Sequence, residues 1–435
     1  LGDVYKRQAQ VGVAVPAGAE VAVHTVRAWT GRHSASRDRV LIKLDFENAF
    51  NLVSRQAVID AAKSHFPALA RWAAWCYGRP TDLQFGKAVL QSGAGVQQGD
   101  PLGPLLFSAA LQPLAVELGA TLDLSLFYLD DGILAGDVAA VGAALAHVRR
   151  RAGDLGMRLN LAKCEVVAVG AVPEAVLLRH LPVEMLRAAD GSGKVLRNFE
   201  LLGAAVGDDA FTAAHTTARV RDAGALLEAV GELEDPQVGL RLLNSCAGHC
   251  RVVHSMRCSP PLAQEPALQE FDELVRGCFS NLTGLHLDAG QWEQASRGLA
   301  QAGLGIRSAV TDAPAAYLAS VGASGESCEK VDSDYAASAL TTSSGVVQAL
   351  ASLNARGAAA MTASTALSMK QKALTACIDT ASWERQLAAA TVTGRALLRS
   401  EAEPGARAFL AAVPSGRKRL EPTVFVAELR QRLGM

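Results

Sequence analysis

The chain has 435 residues, half of them hydrophobic, so it has room for two or three domains with buried cores, and disorder of the whole is excluded. Its 42 basic and 43 acidic residues leave a formal charge of −1, so a basic groove for nucleic-acid phosphates is either local or missing in part. The eight cysteines form no disulfide framework, no signal-peptide pattern opens the chain, and no apolar run reaches the roughly 18 residues of a membrane span. The expectation is an intracellular protein, nuclear or cytoplasmic, neither secreted nor membrane-spanning.

The chain opens on Leu1, and residues 1–8 share no pattern with the residues after them; we expect a cloning or sequencing remnant ahead of a protein that extends further upstream. Residues 40–46 read as an apolar strand. Residues 54–75 read as a helix with Val58, Ile59, Ala62, Phe66, Leu69 and Ala73 on its apolar face, and 102–119 as a helix opened by Pro101 and closed by Gly119. Short apolar strands at 124–129 and 132–136 flank Asp130-Asp131, which places the pair at a hairpin turn. An amphipathic helix at 137–155 and a strand at 164–169 come next. The order β-α-β-β-α-β is the ferredoxin-like split unit, in which the first strand lies beside the hairpin, so Asp45 meets Asp130 and Asp131 at one sheet edge. Beyond 170 the spacing predicts a strand pair at most in 198–206, helices from 211 to 320, a linker at 321–345 rich in Ser, Gly, Thr and Asp, and Ala-rich helix from 346 to 400. The class is α+β.

Three carboxylates brought together repel one another, and make physical sense around cations. Oxygen ligands suit Mg²⁺, and two such ions would serve phosphoryl transfer from a nucleoside triphosphate. Asp45, Asp130 and Asp131 are the candidate metal ligands, with the carbonyl of Phe46 as a further oxygen. Taken alone, Asp130-Asp131-Gly132 is also a good hairpin turn. Cys246, Cys250 and His254, at i, i+4 and i+8, would share a helix face; this spacing fits a buried stripe better than a zinc site.

Four segments resemble consecutive motifs of reverse transcriptases: Lys43-Leu-Asp-Phe-Glu-Asn-Ala-Phe50, Gly95-Val-Gln-Gln-Gly-Asp-Pro-Leu-Gly-Pro104, Phe127-Tyr-Leu-Asp-Asp-Gly132 and Gly156-Met-Arg-Leu-Asn-Leu-Ala-Lys-Cys164. Phe199-Glu-Leu-Leu-Gly203 resembles the family's next motif, the primer grip. The likeness is to enzymes of non-LTR retrotransposons and related retroelements, strong over residues 10–205 and weak at Gly303-Leu-Gly-Ile-Arg-Ser308 and Ala313-Pro-Ala-Ala-Tyr317. It implies a right-hand polymerase palm at 38–208, partial fingers at 1–37, a helical thumb at 209–320, the linker at 321–345 and a helical C-terminal region of unknown role at 346–435. Gln10-Val-Gly-Val13 and Pro16-Ala-Gly18 resemble the tail end of the fingers.

The implied activity is RNA-directed DNA synthesis: dNTPs are added to a primer 3′-hydroxyl with two Mg²⁺, Mn²⁺ being able to substitute. The implied partners are an RNA template and a DNA or RNA primer. The resemblance makes Phe50 the gate against a ribose 2′-hydroxyl, puts Gln98, Gly99 and Tyr128 at the incoming nucleotide, and makes Lys163 the proton donor to pyrophosphate. Asn51 and Leu129 depart mildly from the motifs. Two alternatives stay open. One is an RNA-dependent RNA polymerase, against which Phe50 and Tyr128 speak; the other is an inactive or repurposed nucleic-acid-binding fragment, for which the short stretch ahead of Asp45 speaks.

Overall fold

The computed structural model describes residues 10–357 and 359–435, so the suspected remnant at 1–8 lies outside the described residues. The chain divides into two compact units: one runs up to Phe199 and includes Ser324–Ala336, and the other holds Glu200–Ala323 and Ala337–Met435.

The first unit contains α1 (Gly18–Arg32), β1 (Arg39–Leu44), α2 (Ala49–Leu52), α3 (Arg55–His65), α4 (Pro67–Tyr77), β2 (Thr81–Phe85), β3 (Ala88–Ser92), α5 (Gly103–Gly119), β4 (Leu124–Tyr128), β5 (Asp131–Asp137), α6 (Val138–Asp154), β6 (Glu165–Val169), α7 (Glu174–His180) and α8 (Val183–Leu186). Its main sheet has the order β4-β5-β1-β6 with every pair antiparallel, which is the expected split unit. The strands read as continuous apolar runs because both faces are covered. On one face Val40, Ile42, Leu44 and Leu134 pack with Leu106, Phe107 and Leu111 of α5 and Val141, Leu145 and Val148 of α6. Each such side chain contributes roughly 1.5–3 kcal/mol by leaving water.

Two features differ from the expectation. The single helix at 54–75 is two, because Phe66 precedes a proline and takes φ −138°, after which Pro67 starts α4 from its favoured first position. The segment before Gly93 folds into an unforeseen ribbon, β2–β3, with its residues exposed. Arg55, 7% exposed, holds the ribbon's base: Nη1 donates to Ser92 O at 2.7 Å, Nη2 to Ser92 Oγ at 2.9 Å and Nε to Gly95 O at 3.0 Å.

After α8, β7 (Phe199–Leu201) and β8 (Ala204–Val206) form a hairpin through Leu202 and Gly203, both at positive φ, the mark of a type I′ turn. Helices make up the remainder: α9 (Asp209–Gly231), α10 (Pro236–Leu242), α11 (Val253–Cys258), α12 (Pro261–Thr283), α13 (Ala289–Ser296), α14 (Ala309–Val331), α15 (Ala337–Leu340), α16 (Ser344–Arg356), α17 (Ala363–Ser368), α18 (Gln371–Ala389), α19 (Val392–Ala402), α20 (Ala408–Ala411) and α21 (Pro422–Arg432). The Asp208 carboxylate starts α9 by accepting from Phe211 N–H at 2.8 Å. α9 packs along α12 through a core that includes Val220, Leu227, Leu268, Phe271 and Phe279.

The expected linker at 321–345 is corrected, since α14 runs on to Val331 and Ser324–Ala336 belongs to the first unit, where Cys328 and Asp332 are buried. The small residues that suggested a linker serve close packing instead. A Cβ on Gly322 would stand 1.8 Å from Leu367 O, and Ser320 and Ser324 are fully buried. Among the described residues no helix is long and apolar enough to cross a membrane, and all eight cysteines are free.

Candidate active site

The carboxylates are placed by strand register. In the β1–β5 pair Lys43 faces Ile133 and Leu44 faces Gly132, so the next residue of the series, Asp45, comes level with Asp131. Like charges at facing positions destabilise a sheet, and this one keeps them at the end of its two central strands. The close approach requires Gly132, where a Cβ would stand 2.7 Å from the Phe127 ring and 2.8 Å from Leu44 Cδ1. Asp45 is fixed through its backbone: its N–H donates to Cys164 Sγ at 3.3 Å, and its carbonyl accepts from Asn160 N–H at 2.8 Å. The Gly156–Cys164 motif therefore lies against the Asp45 motif, with Phe46 bridged to Leu159.

Asp130 sits in the two-residue turn between Tyr128 and Asp131, which pair as the last rungs of β4 and β5. Leu129 has φ 59°, and Asp130 is not at positive φ. This is the sign pattern of a type II′ turn, whose first corner is normally glycine. Burial is the main force raising the Asp130 carboxyl above the ordinary range, and the Asp45 charge adds to it. Asp131 is also raised, by displacement of water around it and then by the Asp130 charge, while Lys43 pulls the other way. Lys43, one pleat behind Asp45, makes an ion pair with Glu165 at 2.7 Å. No motif gives Lys43 a role, although its i−2 spacing from Asp45 puts it on the same strand face.

The Gly95–Pro104 motif docks on the Phe50 segment: Gly95 N–H donates to Val53 O at 3.0 Å and Val96 N–H to Phe50 O at 2.8 Å. Gly95, at φ 71°, has no room for a Cβ, which would stand 2.4 Å from the Phe50 carbonyl. The half-buried Phe50 ring stacks on Phe107 with centroids 4.4 Å apart. Gln98 and Gly99 are exposed on the loop, Gly99 at φ 92°. Asp100 anchors the loop's far end by accepting from the Tyr77 hydroxyl and from Leu102 N–H at 2.9 Å. Burial, with this carboxylate beside it, pushes the Tyr77 hydroxyl up to about 12. Lys163 is exposed on the turn that Asn160 stabilises.

Carboxylate oxygens at this sheet end are the donor type that a hard divalent cation takes, and a cation there would relieve the charge that Asp45, Asp130 and Asp131 impose on one another. Among the described residues no three His, Cys, Asp or Glu side chains stand close enough to form a metal-holding group; as placed, the three carboxylates feel each other without closing on a shared point. The Cys246–Cys250–His254 stripe is corrected. The helix breaks at Gly248, Cys246 and Cys250 are exposed, and His254 Nε2 bonds to Leu202 O at 2.9 Å.

Comparison with known proteins adds three findings. No curated protein matches the chain. Telomerase from Candida albicans, solved in complex with a TWJ fragment of telomeric RNA, is similar at 10% identity and a TM-score of 0.30, over 76% of this chain; this chain spans 56% of the length of that one. Residues 14–205 match the family described as Reverse transcriptase (RNA-dependent DNA polymerase). Residues 14–205 are thus similar to a reverse transcriptase domain, and the β-α-β-β-α-β unit within them is a palm-type fold.

Proposed function

We propose that this chain copies RNA into DNA for a retroelement of the non-LTR or a related type, adding dNTPs to the 3′-hydroxyl of a DNA or RNA primer. In this reading the palm spans 38–208 with fingers residues ahead of it, the helical thumb 209–320 and a further helical region 346–435, and the protein works inside the cell. The observation that carries it is the β1–β5 register, which brings Asp45 level with Asp131 beside a turn holding Asp130. Asp45, Asp130 and Asp131, with the Phe46 carbonyl, would hold two Mg²⁺, or Mn²⁺ in their place. Bound there, the ions would supply positive charge to acidify the primer hydroxyl and steady the triphosphate.

The chain's own residues do the rest. Phe50, backed by Phe107, fills the space a ribose 2′-hydroxyl would need. The exposed Gln98-Gly99 backbone meets the incoming base pair, Tyr128 lies beside the nucleotide, and Lys163 gives a proton to the departing pyrophosphate. The test is dTTP incorporation on a poly(rA)/oligo(dT) duplex with Mg²⁺, beside an Asp130→Ala/Asp131→Ala double variant. Incorporation that the variant loses is expected; incorporation in neither, or equally in both, overturns the reading. A preference for rNTPs would point to RNA synthesis. Duplex binding with no incorporation would point instead to a nucleic-acid-binding module without turnover.

A further inference from the structure

The strained turn at Leu129 is gripped from outside the sheet. Gln10, 1% exposed, precedes β1 by nearly thirty residues and lies beside the open edge of β4, where it bridges Phe127 in parallel. Its side-chain Oε1 accepts from Leu129 N–H at 2.8 Å, and its Nε2 donates to Leu129 O at 3.2 Å. Oε1 also takes Gly12 N–H at 2.9 Å, which fixes the amide's orientation. The next residue locks the segment, since Val11 N–H donates to Phe127 O at 2.7 Å. No space is left for anything bulkier. A Cβ on Gly12 would stand 2.7 Å from Leu129 N, and one on Gly18 would stand 2.0 Å from Val11 O.

A two-residue turn cannot pair these Leu129 groups within the ladder, and a leucine at positive φ persists only where its surroundings over-determine it. We infer that Gln10 is a positioning residue for the proposed reaction: its buried amide satisfies both backbone polar groups of Leu129 and so holds the turn that presents Asp130 and Asp131. This rests on the proposed polymerase function. An ionised glutamate at position 10 keeps the two acceptor bonds but has no donor for Leu129 O; alanine loses all three.

The experiment compares wild type, Gln10→Ala and Gln10→Glu by two readouts. One is hydrogen exchange at the Leu129 amide; the other is the single-turnover rate of dTTP incorporation on poly(rA)/oligo(dT), normalised to active sites by burst amplitude. In Gln10→Ala we expect faster exchange at Leu129 and a rate lowered about tenfold or more, with duplex and dTTP affinities within about twofold of wild type. A purely structural role would reduce the number of active molecules and leave the rate per active site unchanged, and that result overturns the inference. Should Gln10→Ala not fold, Gln10→Glu carries the same test: a lowered rate supports the role and a wild-type rate overturns it. An inactive wild type overturns the polymerase reading and this role together, whereas an active wild type with an unaffected Gln10 variant overturns this role alone.

Discussion

At Phe50 packing and selectivity can be separated by one substitution. The ring stacks on the buried Phe107 at 4.4 Å, so Phe50→Ala removes packing from a half-buried position and is expected to cost about 2 kcal/mol, less than the loss at a fully buried phenylalanine. A gate makes a second demand that packing does not. As the proposed gate, the ring would supply a clash with one hydroxyl, so the ratio of rNTP to dNTP incorporation should rise about tenfold or more in the variant. Measured together, a stability loss with an unchanged ratio would leave Phe50 as a core residue and remove it from the nucleotide site.

Among the elements, the β2–β3 ribbon depends on one buried cation. Arg55 donates to Ser92 O, Ser92 Oγ and Gly95 O, and its guanidinium lies 5.5 Å from the centre of the Tyr77 ring. Arg55→Met would leave these carbonyls unpaired at the point where the ribbon meets the Gly95–Asp100 loop. The expected cost is about 2–3 kcal/mol in a denaturant titration, with a raised KM for dTTP because Gln98 and Gly99, in the proposed nucleotide site, lose their base. An unchanged KM would show that the loop holds its shape without Arg55.

No motif announced Arg55 or the ribbon. The split unit was legible because its strands are apolar runs and its helices have a clear period, and Asp130-Asp131 marked their own turn. Neither signal exists in 76–100, where the ribbon buries nothing, or at 321–331, where small residues that pack closely have the composition of a linker. Asp45 and Phe50 stand out in the sequence only through their motif neighbours. Gln10 belongs to a recognisable segment but had no readable role, because its bonds reach a residue 119 positions away.

For the whole molecule, the second unit contains a pH sensitivity that involves none of these residues. Asp312 in α14 is 4% exposed, near Asp272, Arg307 and Asp379, with His249 Nε2 at 3.6 Å. Burial raises its carboxyl to about 7 from 3.8, and lowers the His249 imidazole to about 4. Between pH 3.8 and 7 the unfolded chain has ionised Asp312 while the folded chain retains the proton, so this group's contribution to stability falls as pH rises through that window. His249 acts oppositely between about 4 and 6.5, where rising pH favours the fold. Asp312→Asn should therefore gain on wild type as pH rises, by up to about 4 kcal/mol between pH 4 and 8. Denaturant midpoints that run parallel across this range in both chains would contradict the assignment.

The order β4-β5-β1-β6 also bears on how the molecule is made. β1 is flanked by β5 and β6, and both are synthesised long after it. A nascent chain carries Val40–Leu44 unpaired for roughly ninety residues of elongation, on the order of 5–20 s on a ribosome. Until β5 arrives, Asp45 has no carboxylate to face and the apolar β1 run is exposed to other chains. Slowing translation before residue 131 should thus lower the soluble yield more than slowing it after residue 169.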